Sequence, residues 1–223
     1  MKLEWIGHSC FRMTSQGGTV IMTDPYDDSV GIPLAPVSGD LVTMSHEHHD
    51  HNNAAMLLGA PVIARGLESA RVGDVCTHAL ASYHDDVRGE KRGPNAIRVF
   101  QMDGLKVVHM GDQGCMPEAD VVSGIAGADV MLLPVGGFYT VDARQAKAIV
   151  AASHPRCVVP MHYKTPHCVY PIEGVAQFLQ AMGAQNVHAR REAYFLPGDG
   201  QRGVVLMSPL ALDERAQVRA YME

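Results

Sequence analysis

The sequence predicts one domain of mixed α and β structure that spans residues 1–223. Its amino-terminal part contains short runs of apolar and β-branched residues, which indicate strands. After residue 117 helical and strand patterns alternate, as they do where helices cover a sheet. Because 47% of its 223 residues are hydrophobic, the chain can bury a substantial core.

The predicted elements are short and follow one another closely. The expected strands are 2–6, 11–15, 19–23, 41–45, 61–64, 74–79, 96–102, 105–110, 129–135, 157–161, 193–196 and 203–207. The expected helices are 52–59, 117–127, 143–153, 171–182 and a closing helix from Pro209. Gly17-Gly18 and Asp103-Gly104 are typical of hairpin turns, and residues 26–40 are typical of a surface loop.

The strongest chemical signal is a polar run that directly follows the strand at 41–45. Residues 46–51 read H-E-H-H-D-H, which places four imidazoles and two carboxylates within six positions. An extended backbone puts His46 and His48 on one side, while Asp50 and His51 come where the next helix is expected. One loop can therefore serve two adjacent metal ions. Imidazole and carboxylate together suit zinc, manganese or iron.

The pattern H-x-H-x-D-H resembles the signature of the metallo-β-lactamase superfamily, whose members are mostly dinuclear metal hydrolases. G-H-S-C-F at 7–11 and T-D-P at 23–25 narrow the resemblance to small metal-dependent hydrolases related to ascorbate-phosphate lactonase. The resemblance implies a four-layer αββα sandwich with the metals at one edge where the sheets meet. The zincin pattern H-E-x-x-H is excluded, since Asp50 stands where its second His is needed.

The resemblance also implies a ligand for each position of a dinuclear site. The first metal would take His46, His48 and His84, the second would take Asp50, His51 and His162, and Asp112 would bridge them. For the third His of the first metal, His78 is the alternative. His84 is favoured because it ends a strand at a loop, whereas His78 lies inside a strand.

Three further residues are expected to support the ligands by hydrogen bonds. His8 and Asp24 would lie near the metal loop, and strand alternation places His109 on the opposite face from Asp112. In the implied reaction a hydroxide bound between the metals is the nucleophile, and Asp50 or a metal-bound water handles the proton.

The residues expected to contact substrate lie after the later ligands. Lys164 is two residues after His162, so a strand-like path would put both side chains on one side and bring the ammonium near an anionic substrate. Tyr139 belongs to the 136–140 loop, expected at the same rim. The 85–94 stretch is either a solvated loop or a mobile lid.

The predicted function is hydrolysis of a small molecule by two divalent metal ions. Zinc is the expected metal, with manganese or iron as alternatives. The bond expected to be cleaved is that of a lactone, an ester or a phosphodiester. The lactonase-like branch suggests a phosphorylated or acidic substrate. Two alternatives remain open: a dinuclear iron redox protein of the same fold, and a metal-binding protein without catalysis. The diiron flavoprotein branch typically has a Glu where this chain has His48. This difference disfavours the dinuclear iron redox protein.

Composition excludes several other classes of function. The formal charge of −6 and the pI near 6.0 provide no general attraction to nucleic acid or to an anionic membrane. No apolar stretch reaches the length of a membrane span, and the first residues do not resemble a signal peptide. A cytoplasmic location, with five reduced cysteines, is therefore expected.

Overall fold

The computed structural model describes residues 1–183 and 187–210. This part of the chain is built mainly of strands. Its strands are β1 Lys2–Gly7, β2 Cys10–Thr14, β3 Val20–Thr23, β4 Val37–Ser38, β5 Leu41–Met44, β6 Leu57–Leu58, β7 Val62–Arg65, β8 Ala70–Val72, β9 Val75–Tyr83, β10 Pro94–Met102, β11 Leu105–His109, β12 Val130–Pro134, β13 Cys157–Met161, β14 Val187–Arg190, β15 Glu192–Tyr194 and β16 Gly203–Met207. Its helices are α1 Ala119–Ile125, α2 Ala143–Ser153 and α3 Ala176–Met182, with short 3₁₀ helices at Asp28–Val30 and Ala54–Met56. None of the helices in these ranges is long and apolar enough to cross a bilayer.

The strands form two large sheets and one small pair. The first sheet has the order β15-β1-β2-β3-β5-β7, the second has the order β14-β16-β13-β12-β11-β10-β9-β8, and β4 pairs with β6. Antiparallel pairing of β1, β2 and β3, followed by parallel pairing of β3, β5 and β7, makes β1, β3, β5 and β7 run in one direction. By the same reasoning β9, β11, β12 and β13 run in one direction. The carboxyl ends of these strands therefore meet at one edge of each sheet.

Side chains from both sheets and from the helices share one hydrophobic core. Trp5 and Phe11 from the first sheet, Val107 and Leu132 from the second, and Phe178 from α3 are all buried in it. Strands β12 and β13 are buried at every position, as expected for parallel strands covered on both faces. The two sheets thus pack face to face, with helices covering the second sheet.

A smaller core covers the other side of the first sheet. Met22 and Val42 from its strands pack there against Tyr26, Ile32 and Cys168. In the described ranges this covering layer includes the 3₁₀ helices at Asp28–Val30 and Ala54–Met56 and the β4–β6 pair. Strands β3 and β5 of the first sheet are therefore buried on both faces, which holds their ends firmly in place.

Several predicted elements differ from the observed ones. The helix expected at 52–59 is wrong: only Ala54–Met56 forms a 3₁₀ helix, because Leu57–Leu58 pairs with β4. Strand β9 is longer than expected because it pairs with β10 along most of its length.

The helix expected at 171–182 begins only at Ala176, because the Glu173 backbone forms hydrogen bonds outside the helix. The Glu173 N–H donates to the Gly136 carbonyl, and the Glu173 carbonyl accepts from Lys164 N–H. The predictions for 143–153, 157–161 and 203–207 are confirmed to the residue. The closing helix expected from Pro209 lies largely outside the described residues.

Candidate metal centre

The polar residues singled out from the sequence lie just beyond the carboxyl ends of strands. His8 follows β1, Asp24 follows β3, residues 46–51 follow β5, His84 follows β9, Asp112 follows β11 and His162 follows β13. Since these strands run in one direction within each sheet, the topology itself gathers the side chains at one edge. Three of them, His8, Asp24 and His162, have positive φ angles of 52°, 39° and 50°. Such angles are uncommon for residues other than glycine and are typical of functional sites.

The first group of possible ligands consists of His46, His48 and His84. One ring nitrogen from each lies within 4.8 Å of the others. The ring centroids of His46 and His84 are 4.9 Å apart, and those of His46 and His48 are 4.7 Å apart. His46 and His84 are buried and His48 is only partly buried, so the group opens toward solvent on one side.

The second group consists of Asp50, His51, His162 and also His8. Their ligand atoms again lie within 4.8 Å of one another. His8 Nε2 is 3.3 Å from Asp50 Oδ2, within hydrogen-bond distance. The structure also brings the His8 ring within the group itself, 4.1 Å from the His162 ring between centroids. His8 can therefore serve either as a support or as a ligand.

Asp112 lies between the two groups and contacts members of both. Its Oδ2 is 3.0 Å from His84 Nε2 and 3.3 Å from His162 Nε2, and its Oδ1 is 3.1 Å from His51 Nε2. The carboxylate is buried, and the Asp112 N–H donates to Asn95 Oδ1 at 3.0 Å. Asp112 therefore lies within reach of ring nitrogens from both groups.

The electrostatics of the centre favour ionised carboxylates. Burial would raise the pKa of Asp112, but His162 and His51 outweigh it and hold this pKa well below its usual range. Burial likewise opposes the charge on Asp50, whose pKa is nevertheless lowered by His51 and His8. Both side chains are therefore available as anionic ligands at neutral pH.

Two of the imidazoles are held in their neutral form. Burial lowers the pKa of His46 to about 3, and burial together with neighbouring His162 lowers that of His8 to about 4. Burial would also lower the pKa of His51, but the carboxylates of Asp112 and Asp50 raise this pKa well above the usual value. A metal ion bound to His51 would take the place of that proton, because only the neutral ring is a ligand.

Several buried atoms of the centre have no hydrogen-bond partner among residues 1–183 and 187–210. They include His46 Nε2, His51 Nε2 and His162 Nε2 from the two groups and Asp112 Oδ1 between them, whose close approaches do not have hydrogen-bond geometry. Burying a polar atom without a hydrogen-bond partner costs free energy. A cluster of such atoms in one place therefore indicates that a ligand binds there. Imidazole nitrogens around a carboxylate oxygen are a donor set that suits Zn²⁺ or a related divalent ion. The residues present therefore fit a metal ion.

Asp24 orients the metal loop from behind. Its Oδ2 is 2.8 Å from His51 Nδ1, which directs the opposite ring nitrogen toward Asp112. The same carboxylate accepts hydrogen bonds from the backbone N–H and the hydroxyl of Ser45, at 2.8 and 2.6 Å. Ser45 Oγ is in turn 2.9 Å from His46 Nδ1. Asp24 thus ties the end of β3 to the start of the metal loop through these hydrogen bonds.

His109 connects two loops beneath the centre. The Gly111 N–H donates to its Nδ1 at 3.1 Å, so Nε2 carries the proton and donates to the Ser9 carbonyl at 2.9 Å. Both ring nitrogens are therefore engaged with backbone groups rather than with the ligands. His109 stabilises the backbone on which Asp112 and His8 stand.

Two glycines that the sequence analysis did not single out allow the ligand turns to approach closely. A Cβ atom at Gly114 would collide with the backbone of His84, and one at Gly136 would collide with the His162 carbonyl. Each glycine therefore fixes the position of a ligand turn through direct backbone contact. For Gly114, the sequence signal that could have indicated this role is its position two residues after Asp112.

The 85–94 loop is held in a fixed shape by Asp85, which also was not singled out. Its buried carboxylate accepts four backbone hydrogen bonds of 2.7–2.9 Å, from Val87, Gly89, Lys91 and Arg92. The His84 N–H closes the loop by donating to the Gly93 carbonyl at 3.1 Å. This network favours a rigid loop over a mobile lid.

The two predicted substrate residues, Lys164 and Tyr139, each contact Tyr170. The strand-like path assumed for Lys164 is wrong, because β13 ends at Met161 and His162 has a positive φ. The Lys164 side chain is exposed and its Nζ donates to the Tyr170 carbonyl at 2.7 Å. Tyr139 is half-buried, and its ring lies 5.7 Å from that of Tyr170.

A two-sheet sandwich with His and Asp ligands at one edge is the architecture of the metallo-β-lactamase superfamily, and residues 2–162 match the sequence model of a family described as "Beta-lactamase superfamily domain". The chain belongs to this superfamily and, within it, to the UPF0173 metal-dependent hydrolases. It is 32% identical to such a protein from Methanoregula boonei over 191 residues, 74% of this chain and 83% of the relative. With the relative from Archaeoglobus fulgidus it shares 28% identity over 198 residues, covering 74% and 84% of the two chains.

A solved structure agrees with this assignment. A protein of the metallo-β-lactamase superfamily from Thermotoga maritima superposes with a TM-score of 0.78 at 30% identity, covering 92% of this chain and 97% of that one. The resemblance drawn from H-x-H-x-D-H and the predicted fold class are therefore confirmed.

Proposed function

We propose that this protein is a dinuclear metal-dependent hydrolase that cleaves a lactone, an ester or a phosphodiester in a small molecule. The observation that carries the proposal is the bridging position of Asp112, within 3.0–3.3 Å of nitrogens from both ligand groups. The name shared by its relatives, metal-dependent hydrolase, supports the reaction type.

The ligands divide between two ions in the proposed centre. One ion would be held by His46, His48 and His84, the other by Asp50, His51 and His162, and both by Asp112. Zinc is the proposed metal, with manganese or iron as alternatives, because the donor set is rich in imidazole. Ions held by these residues would supply a bound water with a pKa lowered to about 7 and would polarise the bond to be cleaved.

The chain itself contributes proton handling and orientation. Asp50 is the less buried of the two carboxylates, and its Oδ2 is 3.3 Å from His8 Nε2. We assign to this pair the acceptance of a proton from the attacking water and its transfer toward the leaving group. Asp112 is enclosed by imidazoles and stays ionised. Its proposed role is to hold the two ligand groups at a fixed distance from each other.

The first test is a measurement of metal content followed by turnover. Protein reconstituted with Zn²⁺ or Mn²⁺ is expected to hold close to two ions per chain by elemental analysis and to hydrolyse at least one member of a panel of esters, lactones and phosphodiesters. Chelated protein is the control and should be inactive. Two bound ions without turnover would indicate a metal-binding protein, and a visible iron spectrum with redox activity would indicate the redox alternative.

Lys164 is proposed to favour anionic substrates from the rim of the centre. Because the ammonium is exposed, its replacement in Lys164→Met should lower kcat/KM for a phosphorylated or carboxylated substrate by only about two- to five-fold. A matched neutral substrate should be nearly unaffected, and Lys147→Met, an exposed position on α2, is the control. Equal losses for both substrates would show that Lys164 acts only by holding the Tyr170 carbonyl.

A further inference from the structure

A row of aromatic rings leads from the surface to the metal centre. The ring centroids of Phe138 and Tyr139 are 4.7 Å apart, and those of Tyr139 and Tyr170 are 5.7 Å apart. Tyr170 lies 5.7 Å from the ring of His8, a member of the second ligand group. We refer to Phe138, Tyr139 and Tyr170 as the aromatic wall. It is continuous with the centre at one end and open to solvent at the other.

Phe138 occupies a position that packing does not explain. Its side chain is 64% exposed, although burying a phenyl ring is strongly favourable. Its φ of 59° lies in the left-handed region, which costs a bulky residue energy. An exposed ring in a strained conformation, joined to the centre through the Tyr139 and Tyr170 rings, is typical of a residue that contacts a ligand.

The wall is fixed in place on its Phe138 side by Arg92. The Arg92 guanidinium lies 5.5 Å from the centroid of the Tyr139 ring, and its Nη2 donates to the Phe138 carbonyl at 3.3 Å. Arg92 is itself held by Asp85, which accepts its backbone N–H at 2.8 Å. The loop that carries His84 therefore also positions the wall.

Tyr170 is fixed in the same way from the opposite side. Lys164 Nζ donates to the Tyr170 carbonyl, and the Tyr170 hydroxyl is 3.1 Å from Ser29 Oγ. The hydroxyl of Ser29 is also 2.9 Å from His49 Nδ1 in the metal loop. Rings held in place by polar contacts lose little freedom when a ligand packs on them, which favours binding.

We propose that the aromatic wall is a subsite for an apolar, planar group of the substrate, such as a phenyl or another unsaturated ring, joined to the bond that lies at the metal centre. This inference rests on the proposed hydrolase function and specifies its substrate class. Offset and edge-on packing of rings at these spacings is favourable beyond simple burial. The anionic or polar part of the substrate would then face the metals, and the ring would face the wall.

The test compares two phosphonates that differ only in the organic group. Metal-loaded protein is titrated calorimetrically with phenylphosphonate and with methylphosphonate. We expect the phenyl compound to bind about ten-fold tighter than the methyl compound, from ring burial and ring packing together. Phe138→Asn, which tolerates a positive φ, and Tyr139→Ala should each reduce this ratio to about three, while the affinity for methylphosphonate stays unchanged.

Tyr194→Ala is the matched control, since Tyr194 is 61% exposed and pairs with Lys2 at the far end of β1 from His8. Equal affinity for the two phosphonates, or a preference that survives loss of both Phe138 and Tyr139 rings, would overturn the inference. Calorimetry needs no turnover, so a preference for the phenyl compound supports the subsite even if the hydrolysis panel is negative. In that case the proposed reaction fails and the aromatic subsite stands.

Discussion

Replacing His84 with alanine is expected to remove a metal ion and to lower kcat/KM by a factor on the order of 100 or more. The buried His84 ring supplies a nitrogen to the first ligand group and lies 3.0 Å from Asp112 Oδ2. Its loss would leave His46 and His48 as the remaining members of that group. Two imidazoles hold a divalent ion much less firmly than three ligands and a bridge.

His78→Ala is the matched control for this experiment. His78 is exposed in the interior of β9, where its backbone pairs with Val99, and it is absent from the groups of possible ligands formed by the described residues. Elemental analysis and kcat/KM of the two variants, with circular dichroism to verify folding, decide between the two histidines. Loss of metal in His78→Ala with retention in His84→Ala would mean that the third His was assigned to the wrong position.

Replacing Trp5 with alanine is expected to lower the free energy of unfolding by about 3–5 kcal/mol. The Trp5 side chain is fully buried, with its ring 5.1 Å from Tyr163 and 6.2 Å from Phe11. Its Nε1 also donates to the His8 carbonyl at 3.0 Å. The substitution therefore creates a cavity between the sheets and removes a hydrogen bond beneath the metal centre.

Trp5→Phe separates these two effects. Phenylalanine keeps most of the ring volume but has no donor, so a cost of about 1–2 kcal/mol is expected. The His8 carbonyl would still accept from the His162 N–H at 3.1 Å. Urea unfolding of chelated protein gives the free energies, with Tyr194→Ala as an exposed control expected to change stability by less than about 0.5 kcal/mol. A loss below about 1 kcal/mol for Trp5→Ala would contradict the central place of this ring in the core.

The ligand set was accessible from the sequence because its chemistry is concentrated in one loop. Residues 46–51 carry most of the donors, and a resemblance anchored there points to His84, Asp112 and His162 further along the chain. The structure brings these residues within reach of one another, while direct ligation stays a prediction. Their convergence depends on strand direction, which short apolar runs alone do not specify.

The supporting residues were less accessible, because their roles depend on backbone contacts. Asp85 follows His84 directly, yet only the folded loop shows that it accepts four N–H groups. The aromatic wall joins Tyr139 and Tyr170 from separate loops, and nothing in their local sequence indicates that they meet. The path of Lys164 was mispredicted for a related reason, since a positive φ at a histidine has no sequence signal.

The distribution of ligands along the chain also determines when the centre can form. It draws on five segments, from His8 through 46–51, His84 and Asp112 to His162, at the ends of strands from both sheets. A chain still being synthesised presents the histidines of the metal loop long before the bridging carboxylate and the last imidazole have emerged. Contacts between residues distant in sequence form slowly, and metal binds tightly only once its ligands are assembled. Tight metal binding at this centre therefore requires that the two sheets have docked first.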